Sequence, residues 1–544
     1  MNGPDGGGSA GGTGAEPTAA TAITPDGARR GPDRHGGPGR AFRVTALVVL
    51  GVQLVGLLAY STFLYHRFDL TDDFGTYAQA WFLIGHGHLN PVDTVQVPNY
   101  PFWQSHFELA MWPVALVGRV WPHSLQLLWI QDLAIVATEW LAVTWAAAVC
   151  ATHRRGSAVA IAALAFLVVN PWWYQAASFD VHFELLGLPF VVWSAYALWQ
   201  GRTRTCLLTA GAAVLFGDVV TVTVLCVALA GLLSRRVRRA GGLRTSLAAG
   251  AGALAWLGLV TLLGANKGSG IVDNYGYLVG AAPDATSSSV VGHLALHPGH
   301  ALRVLVDRRA GIGRVVASAG LVGVVTPWGL LIALGTLVPA ALNANTAFLT
   351  PTIAFQTLAV IPFVFVGTVM VLVRIGSGPA VDARTDRTRR HARPPAPRAA
   401  AGVALALALA LATVSVVQGI PVFRSIRSDW WRVDAPTAAA LRTALPRVPG
   451  DAEVIVSQGV LGRFAERRYV YPLLASPQAF PVRAPEVVLV VVPAQGLESI
   501  PAADAEAVVA AARRRLHATT TFDRDGVLVL TWHPPPGVTA VVLP

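Results

Sequence analysis

Long apolar runs, each about as long as a bilayer is thick, constrain the fold of this chain more than any other feature. A helix needs about 20 apolar residues to cross the hydrocarbon core. Hydrophobic residues make up 53% of the 544 residues and charged residues only 13%, whereas soluble chains carry about 25% charged residues. These features predict an α-helical polytopic membrane protein, with single crossings near residues 42–64, 125–150, 157–174, 183–200, 246–265, 352–373 and 400–419.

Basic clusters next to the apolar runs predict the orientation. A net charge of +11 could suggest nucleic acid as a partner. Positive charge beside a membrane span instead holds a loop on the cytoplasmic side, so we expect no nucleic-acid partner. The clusters assigned to the inside are Arg29–Arg43, His153–Arg155, Arg202–Arg204, Arg235–Arg239 and Arg374–Arg398.

Two apolar blocks are interrupted, which affects the number of crossings. Residues 206–234 are broken at Gly217-Asp218 and residues 313–342 at Thr326-Pro327. Proline breaks a helix interior, and broken helices are tolerated in membranes where they line a cavity. Both blocks lie between segments on the same side, so each is expected to form two short helices. About eleven crossings result, in a protein of the plasma membrane.

The domain organisation follows from this topology. Residues 1–40 have almost no large apolar side chain, which predicts a disordered cytoplasmic tail. Residues 41–420 form the transmembrane domain, and its first apolar run is too long for a signal peptide and stays as an anchor. Outer loops at 65–124 and 266–312 and a basic cytoplasmic loop at 375–398 belong to this domain.

The last segment, residues 421–544, changes character. The stretches "AEVIVSQ", "PEVVLVVVP" and "GVLVLTWHP" are short β-branched runs, and "AADAEAVVAAARRRL" has helical periodicity. These runs are too short to span a bilayer. They predict a small extracytoplasmic α/β domain, and the chain contains no glycine-rich phosphate loop that would indicate an ATP site.

The outer segments contain nearly all the acidic residues outside the tails, and they could converge on one outer-facing cavity. An ionisable residue at membrane depth is costly, so a functional role is the default hypothesis. The candidates are Asp69, Asp72, Asp73, His106, Glu108, Asp180, His182, Glu184 and, at the helix break, Asp218.

Each candidate also has a structural explanation. Thr71-Asp72 is a good helix start, so Asp72 and Asp73 could serve as caps. His182 and Glu184 could form a polar interfacial turn, and His106 could pair with Glu108 at the water interface. Neither a paired-histidine pattern nor Cys-x-x-Cys is present, so no cofactor is certain, although a divalent cation remains possible. The three cysteines lie in or at the ends of apolar runs and indicate neither disulfides nor a metal site.

Several motifs together resemble the family of predicted polytopic membrane proteins called DUF2079. They are "DFGTYAQAWFLIGHG", "SHFE", "FDVHFELLGLPFVVWSAYALW", "LFGDVVTV", "NYGYLVG" and "VPAALNANTAFLT", and the resemblance covers about residues 42–535. Gln79-Ala80 places Asp73 on the aspartate of the family pattern, and Asp69 falls too far upstream. We therefore expect Asp69→Asn to be nearly silent. Val181 and Phe183 depart from the pattern, and "GDVV" lacks the Lys-Glu that often precedes the aspartate matched by Asp218.

That family is similar in architecture to the GT-C membrane glycosyltransferases, and this similarity implies a function. Such enzymes transfer a sugar from a polyprenyl-phosphate carrier in the membrane to an acceptor on the outer face. The implied base is Asp73, with Asp72 and His106 as further catalytic candidates. His106, His182 and Lys267 could neutralise the leaving phosphate, and Asp180, Glu184 and Asp218 could bind substrate or a divalent ion. Gln79 and Tyr277, which lie in the family motifs, are further substrate-binding candidates.

Two other functions remain open. In a transporter or flippase, the same carboxylates would bind protons or a cationic substrate, and the broken helices would form the central site. In a non-catalytic scaffold that presents the outer domain, the acidic cluster would have no role of its own.

Overall fold

A computed structural model describes most of the chain. The described residues are 39–96, 99–105, 107–121, 123–151, 156–264, 270–280, 286–349, 355–376, 432–474, 477–497 and 499–544, with six isolated residues between 413 and 424. The predicted tail, most of the basic loop 375–398 and most of the span 400–419 lie outside them. His106 and Lys267 lie outside them as well.

Helices dominate the first 376 residues because the apolar runs satisfy their backbone hydrogen bonds internally. In chain order they are α1 Arg40–Arg67, α2 Asp72–Gly85, α3 Phe102–Ser105, α4 Met111–Val117, α5 Leu125–Cys150, α6 Gly156–Val168, α7 Pro171–Ala177, α8 Phe183–Trp199, α9 Thr203–Ala213, α10 Asp218–Leu233, α11 Arg235–Arg239, α12 Leu243–Leu262, α13 Gly270–Tyr275, α14 Ser287–Leu296, α15 Pro298–Asp307, α16 Arg309–Ser318, α17 Pro327–Leu342 and α18 Val360–Gly376.

Among the described residues, four helices are long and apolar enough to cross a membrane. They are Arg40–Arg67, Leu125–Cys150, Leu243–Leu262 and Phe355–Ile375, and the pair Val159–Val168 and Pro171–Ala177, bent by 40°, forms a fifth if it is one span. Shorter apolar helices accompany them at Phe183–Trp199, Thr203–Phe216, Asp218–Leu233 and Pro327–Leu342. The helical membrane architecture is confirmed, while the count of about eleven crossings stays a prediction.

The first helix break lies where the sequence places it. Gly217 has a backbone φ of +108°, which residues with a side chain rarely adopt. Helix α10 begins directly after it, at Asp218.

In the second block a helix begins at Pro327 as expected, but the helix before it, α16, ends at Ser318 and only a 3-10 turn at Val322–Val325 lies between them. Thr326 accepts a hydrogen bond on its hydroxyl from the amide of Gly329 (3.1 Å), and Pro327 is the first residue of α17. Proline is well suited to a first helical position because it has no amide hydrogen to satisfy.

The C-terminal segment forms the expected α/β domain. Helices α19 (Ala435–Ala444) and α20 (Ala502–Arg515) accompany its strands. Two short strands, β1 Val92–Asp93 and β2 Tyr100–Pro101, lie in the first outer loop. The strands of the domain are β3 Glu453–Ser457, β4 Val470–Leu473, β5 Gln478–Pro481, β6 Val487–Val491, β7 Thr519–Arg524, β8 Val527–Trp532 and β9 Ala540–Leu543. Five of them form a sheet with the order β4-β3-β6-β8-β7, parallel from β4 to β6 and antiparallel from β6 to β7.

The C-terminal domain and the first outer loop share one hydrophobic core. Buried side chains of α2 and of the segment before it pack against the domain. The amide of Gly462 donates to the carbonyl of Leu70 (2.9 Å). A Cβ atom at Gly462 would lie 2.6 Å from Leu70 Cβ and 2.8 Å from Phe74 Cδ1, so only glycine fits this contact. The shared core places the domain on the same side of the helical bundle as the first outer loop.

Candidate functional site

The start of α2 is held by a carboxylate that is distant in sequence. Asp180 accepts hydrogen bonds from the amides of Thr71 (3.1 Å) and Phe74 (3.3 Å), and also from the Thr71 hydroxyl. The first amides of a helix have no partner within the helix, so this carboxylate caps α2. Burial raises the pKa of Asp180 to about 6, although the hydrogen bonds from Thr71 oppose the shift. Asp180 therefore positions the helix that bears Asp72 and Asp73.

Asp73 and His182 meet beside this cap. Asp73 Oδ2 lies 3.9 Å from His182 Nε2; the Asp73 side chain is 40% exposed and that of His182 only 5%. The His182 ring stacks on Phe355, with centroids 3.5 Å apart and planes 8° apart. Its backbone amide donates to Gln131 (2.7 Å). A fixed, buried imidazole thus faces a carboxylate that substrate can reach.

An acidic cluster extends from Tyr77, one helical turn after Asp73. The Tyr77 hydroxyl donates to Glu108 (3.2 Å), and the Tyr77 ring stacks on Phe183 with centroids 5.0 Å apart. Burial raises the pKa of Glu108 well above its usual range. The negative charges of Glu184 and Asp218 raise this pKa further, and the hydrogen bond from Tyr77 lowers it. Burial therefore favours the protonated form of the Glu108 carboxyl, which can donate a hydrogen bond.

The second outer loop folds onto this cluster through Tyr275. Burial raises the pKa of Tyr275, a hydrogen bond with Asn343 lowers it, and the nearby charge of Asp218 raises it. The loop is held by a hydrogen bond from the amide of Ala344 to the carbonyl of Asn274 (2.7 Å). Asp218 itself is exposed at the start of α10. The motifs "NYGYLVG" and "VPAALNANTAFLT" therefore meet beside the aspartate of the motif "LFGDVVTV".

Glu184 and Asp72 occupy the two flanks of this region. Glu184 lies in the first turn of α8 and lines a small cleft between α8 and α10 with Val219, Thr223 and Phe355. Asp72 is half-buried, and its charge adds to the raised pKa of Asp180 and of Asp93.

Three residues that the sequence singles out make contacts within the protein. The Gln79 amide is buried and donates to the hydroxyl of Thr94 (2.7 Å) and the carbonyl of Arg468 (3.1 Å), so it joins α2 to the C-terminal domain rather than facing substrate. The Tyr277 hydroxyl donates to the carbonyl of Leu342 (3.0 Å), and it is Tyr275 that lies near Asp218.

Asp69 is the third of these residues. It is 5% exposed and pairs with Arg432 of the C-terminal domain, with 3.8 Å between Arg432 Nε and Asp69 Oδ2. Replacing a buried, paired carboxylate disturbs the contact of the loop with the domain, so the expectation that Asp69→Asn is nearly silent does not fit the structure.

The suggested divalent site does not fit the described residues. Among them, no three His, Cys, Asp or Glu side chains lie close enough together to hold a metal. Asp180, Glu184 and Asp218 fail as a ligand set because the Asp180 carboxylate is occupied by the start of α2. No step in the chemistry below uses a metal.

Two further carboxyl groups lie outside the motifs that the sequence singles out. Asp132 and Glu139 are completely buried in α5, where Asp132 lies beside Ser61 and Glu139 beside Gln53 of α1. They are seven residues apart, so they lie on one face of an otherwise apolar helix. That spacing within a predicted span is the signal that could have identified them.

The fold and the site together define a helical membrane protein with an acidic cluster beside a fused α/β domain. A family model described as "Predicted membrane protein (DUF2079)" matches residues 64–529. The chain belongs to this family, which confirms the resemblance inferred from the motifs.

Among solved structures, ArnT from Cupriavidus metallidurans bound to undecaprenyl phosphate is similar to this chain at 12% identity and a TM-score of 0.44, covering 90% of this chain and 97% of ArnT. ArnT in the apo state is similar at 13% identity and a TM-score of 0.41 with the same coverage. Likeness at this level assigns no function to the chain. No curated protein matches its sequence.

Proposed function

We propose that the protein is a GT-C-like membrane glycosyltransferase that transfers a sugar from a polyprenyl-phosphate carrier to an acceptor at the outer face. The observation that carries the proposal is the pairing of Asp73, a carboxylate open to substrate, with the buried His182 at 3.9 Å. The carboxyls of Asp180 and Glu108 nearby are buried, so Asp73 has the exposure that a base acting on an external hydroxyl requires.

The chemistry follows from these positions. An acceptor oxygen attacks the anomeric carbon of the sugar, and its proton passes to Asp73. The bond from that carbon to the phosphate oxygen breaks, and polyprenyl phosphate leaves with its electron pair. His182 Nε2 is placed to stabilise either the protonated Asp73 or the phosphate, since its ring is fixed by stacking on Phe355.

The acidic cluster would bind the sugar. Carboxylates accept hydrogen bonds from hydroxyl groups, and a neutral carboxyl donates one. Glu184 and Asp218 supply carboxyl oxygens as acceptors, and Glu108 could act as a donor in its protonated form, which burial favours.

The proposed orientation places this site outside. The C-terminal domain shares a core with the first outer loop, so both lie on one side of the membrane. The arginines of α11 and Arg374 lie at the other ends of the helices that begin near the site. Positive charge marks the cytoplasmic side, which gives an N-terminus inside, a C-terminal domain outside and an odd number of crossings.

A transport function is favoured by one observation, the burial of Asp132 and Glu139 in α5. Carboxyl groups at membrane depth often bind protons in transporters. In that case the two residues, and not Asp73, would be essential for activity.

The test is an incubation of the purified protein with a mixture of polyprenyl-phosphate sugars and a cell-envelope extract as acceptor, followed by mass spectrometry of the lipids. We expect one donor to be consumed with release of an equal amount of polyprenyl phosphate. If no donor is consumed and proteoliposomes show proton-dependent uptake of a lipid or solute, the protein is a transporter and the glycosyltransferase proposal is wrong.

A further inference from the structure

A second cavity lies at the end of the helical bundle opposite the acidic site. Its volume is about 670 Å³, and it is formed by the ends of α5, α8, α10 and α18 and the start of α17. Helix α8 begins next to His182 and ends at the cavity, and its 17 residues span about 25 Å. The cavity is therefore separate from the site of the proposed reaction.

The lining of this cavity is basic and aromatic. Arg235, Arg236 and Arg374 line it together with Trp199 and Trp328. The described lining residues include three arginines and no carboxylate, so the lining is positively charged.

The best-fixed of these arginines is Arg236. Its guanidinium lies 3.9 Å from the centroid of the Trp199 ring, and its Nε donates to the Trp199 carbonyl (3.3 Å). A guanidinium stacked on an aromatic ring is held in a fixed plane, and its planar set of N–H groups suits the oxygens of a phosphate. The first turn of α17 also borders the cavity at Trp328, and the positive end of a helix favours an anion there.

Apolar residues next to the arginines indicate an amphiphile rather than a free ion. Met370, Val371 and Val373 of α18 and Leu233 of α10 belong to the same lining. These residues lie at the ends of apolar helices, where an acyl chain would continue along the bundle. Basic pockets between membrane helices on the cytoplasmic side are known to accommodate anionic lipid headgroups.

We infer that this cavity binds the phosphate-bearing headgroup of an anionic membrane lipid, with Arg235, Arg236 and Arg374 as its ligands. The chain's own next segment is a poor alternative occupant, because residues 377–398 carry six arginines and only two acidic residues. Like charges would keep that segment out of an arginine-lined cavity.

The experiment measures lipid binding to the delipidated full-length protein in neutral detergent by native mass spectrometry. The probes are phosphatidylglycerol, phosphatidylcholine with the same acyl chains, and inorganic phosphate. We expect phosphatidylglycerol to bind at least about tenfold more tightly than phosphatidylcholine, and Arg235→Gln/Arg374→Gln to lose about tenfold of that affinity. Inorganic phosphate is not expected to displace the lipid.

A matched control removes two charges from the same basic face outside the cavity, by Arg238→Gln/Arg244→Gln, and it should leave lipid affinity unchanged. An equal loss of lipid affinity in both double variants would mean that general surface charge causes the binding, and it would contradict a specific site in the cavity. Parental binding by Arg235→Gln/Arg374→Gln would also overturn it, and displacement by inorganic phosphate would overturn the lipid as ligand. If the double variant does not fold, the single variants Arg235→Gln and Arg374→Gln decide the question, each with an expected loss of about threefold.

Discussion

Replacing Asp73 by asparagine separates a catalytic base from a helix-capping residue. The asparagine side chain has the same shape and is nearly as good at a helix start. It has no basic oxygen to take a proton from an acceptor hydroxyl. We expect the Asp73→Asn protein to fold normally and to transfer sugar about 10²–10⁴-fold more slowly.

The structure sets the size of the competing structural effect. A carboxylate in the first turn of a helix contributes about 0.3–1 kcal/mol through the helix dipole. The contact with His182 is 3.9 Å long and the Asp73 side chain is 40% exposed, so the pair adds little. A loss of about 10²–10⁴-fold corresponds to about 2.7–5.5 kcal/mol of transition-state stabilisation. The catalytic effect is therefore several times larger than the structural one.

The assay is the initial rate of donor consumption by the purified protein, with thermal unfolding measured on the same sample. Asp504→Asn is a matched control, because Asp504 also lies in the first turn of a 14-residue helix but in the C-terminal domain. It should have the same small effect on stability and none on the rate. A rate for Asp73→Asn within about threefold of the parent would remove Asp73 from the mechanism.

Three further predictions concern the outer loop, the domain contact and the topology. Burial raises the pKa of Asp93 from 3.8 to about 7, so the free energy of unfolding should fall as the pH rises from about 4 to 7. In thermal unfolding, Asp93→Asn should flatten this pH dependence. The control Asp451→Asn should leave the dependence as steep as in the parent. Gly462→Ala should overpack the domain contact and lower the free energy of unfolding by about 1–3 kcal/mol. Gly450→Ala is the control, because a Cβ atom there would meet nothing within 4 Å. Equal unfolding temperatures for the two variants would contradict the close contact at Gly462. In intact cells an impermeant thiol reagent should label Asp451→Cys but not Arg389→Cys, and protection of the former would move the domain to the inside.

The sequence alone determined the parts of this protein that depend on local chemistry. Runs of about 20 apolar residues form helices because a bilayer leaves backbone groups no other partner. Gly217 and Thr326-Pro327 interrupt helices through their own backbone restrictions, and β-branched runs form the strands β3, β6 and β8. The motifs shared with the family also single out Asp73, His182 and Asp218, because those motifs are patterns of residues along the chain.

Tertiary structure alone decided which polar groups are used to build the fold. Asp180 caps a helix 109 residues earlier in the chain, and Gln79 joins α2 to a domain almost 400 residues later. Asp69 likewise pairs with Arg432. A carboxylate or amide looks the same in sequence whether its hydrogen bonds go to protein or to substrate. Only the groups that folding brings close to each side chain distinguish the two. The Asp73 carboxylate lies 3.9 Å from a buried histidine, and its side chain stays 40% exposed.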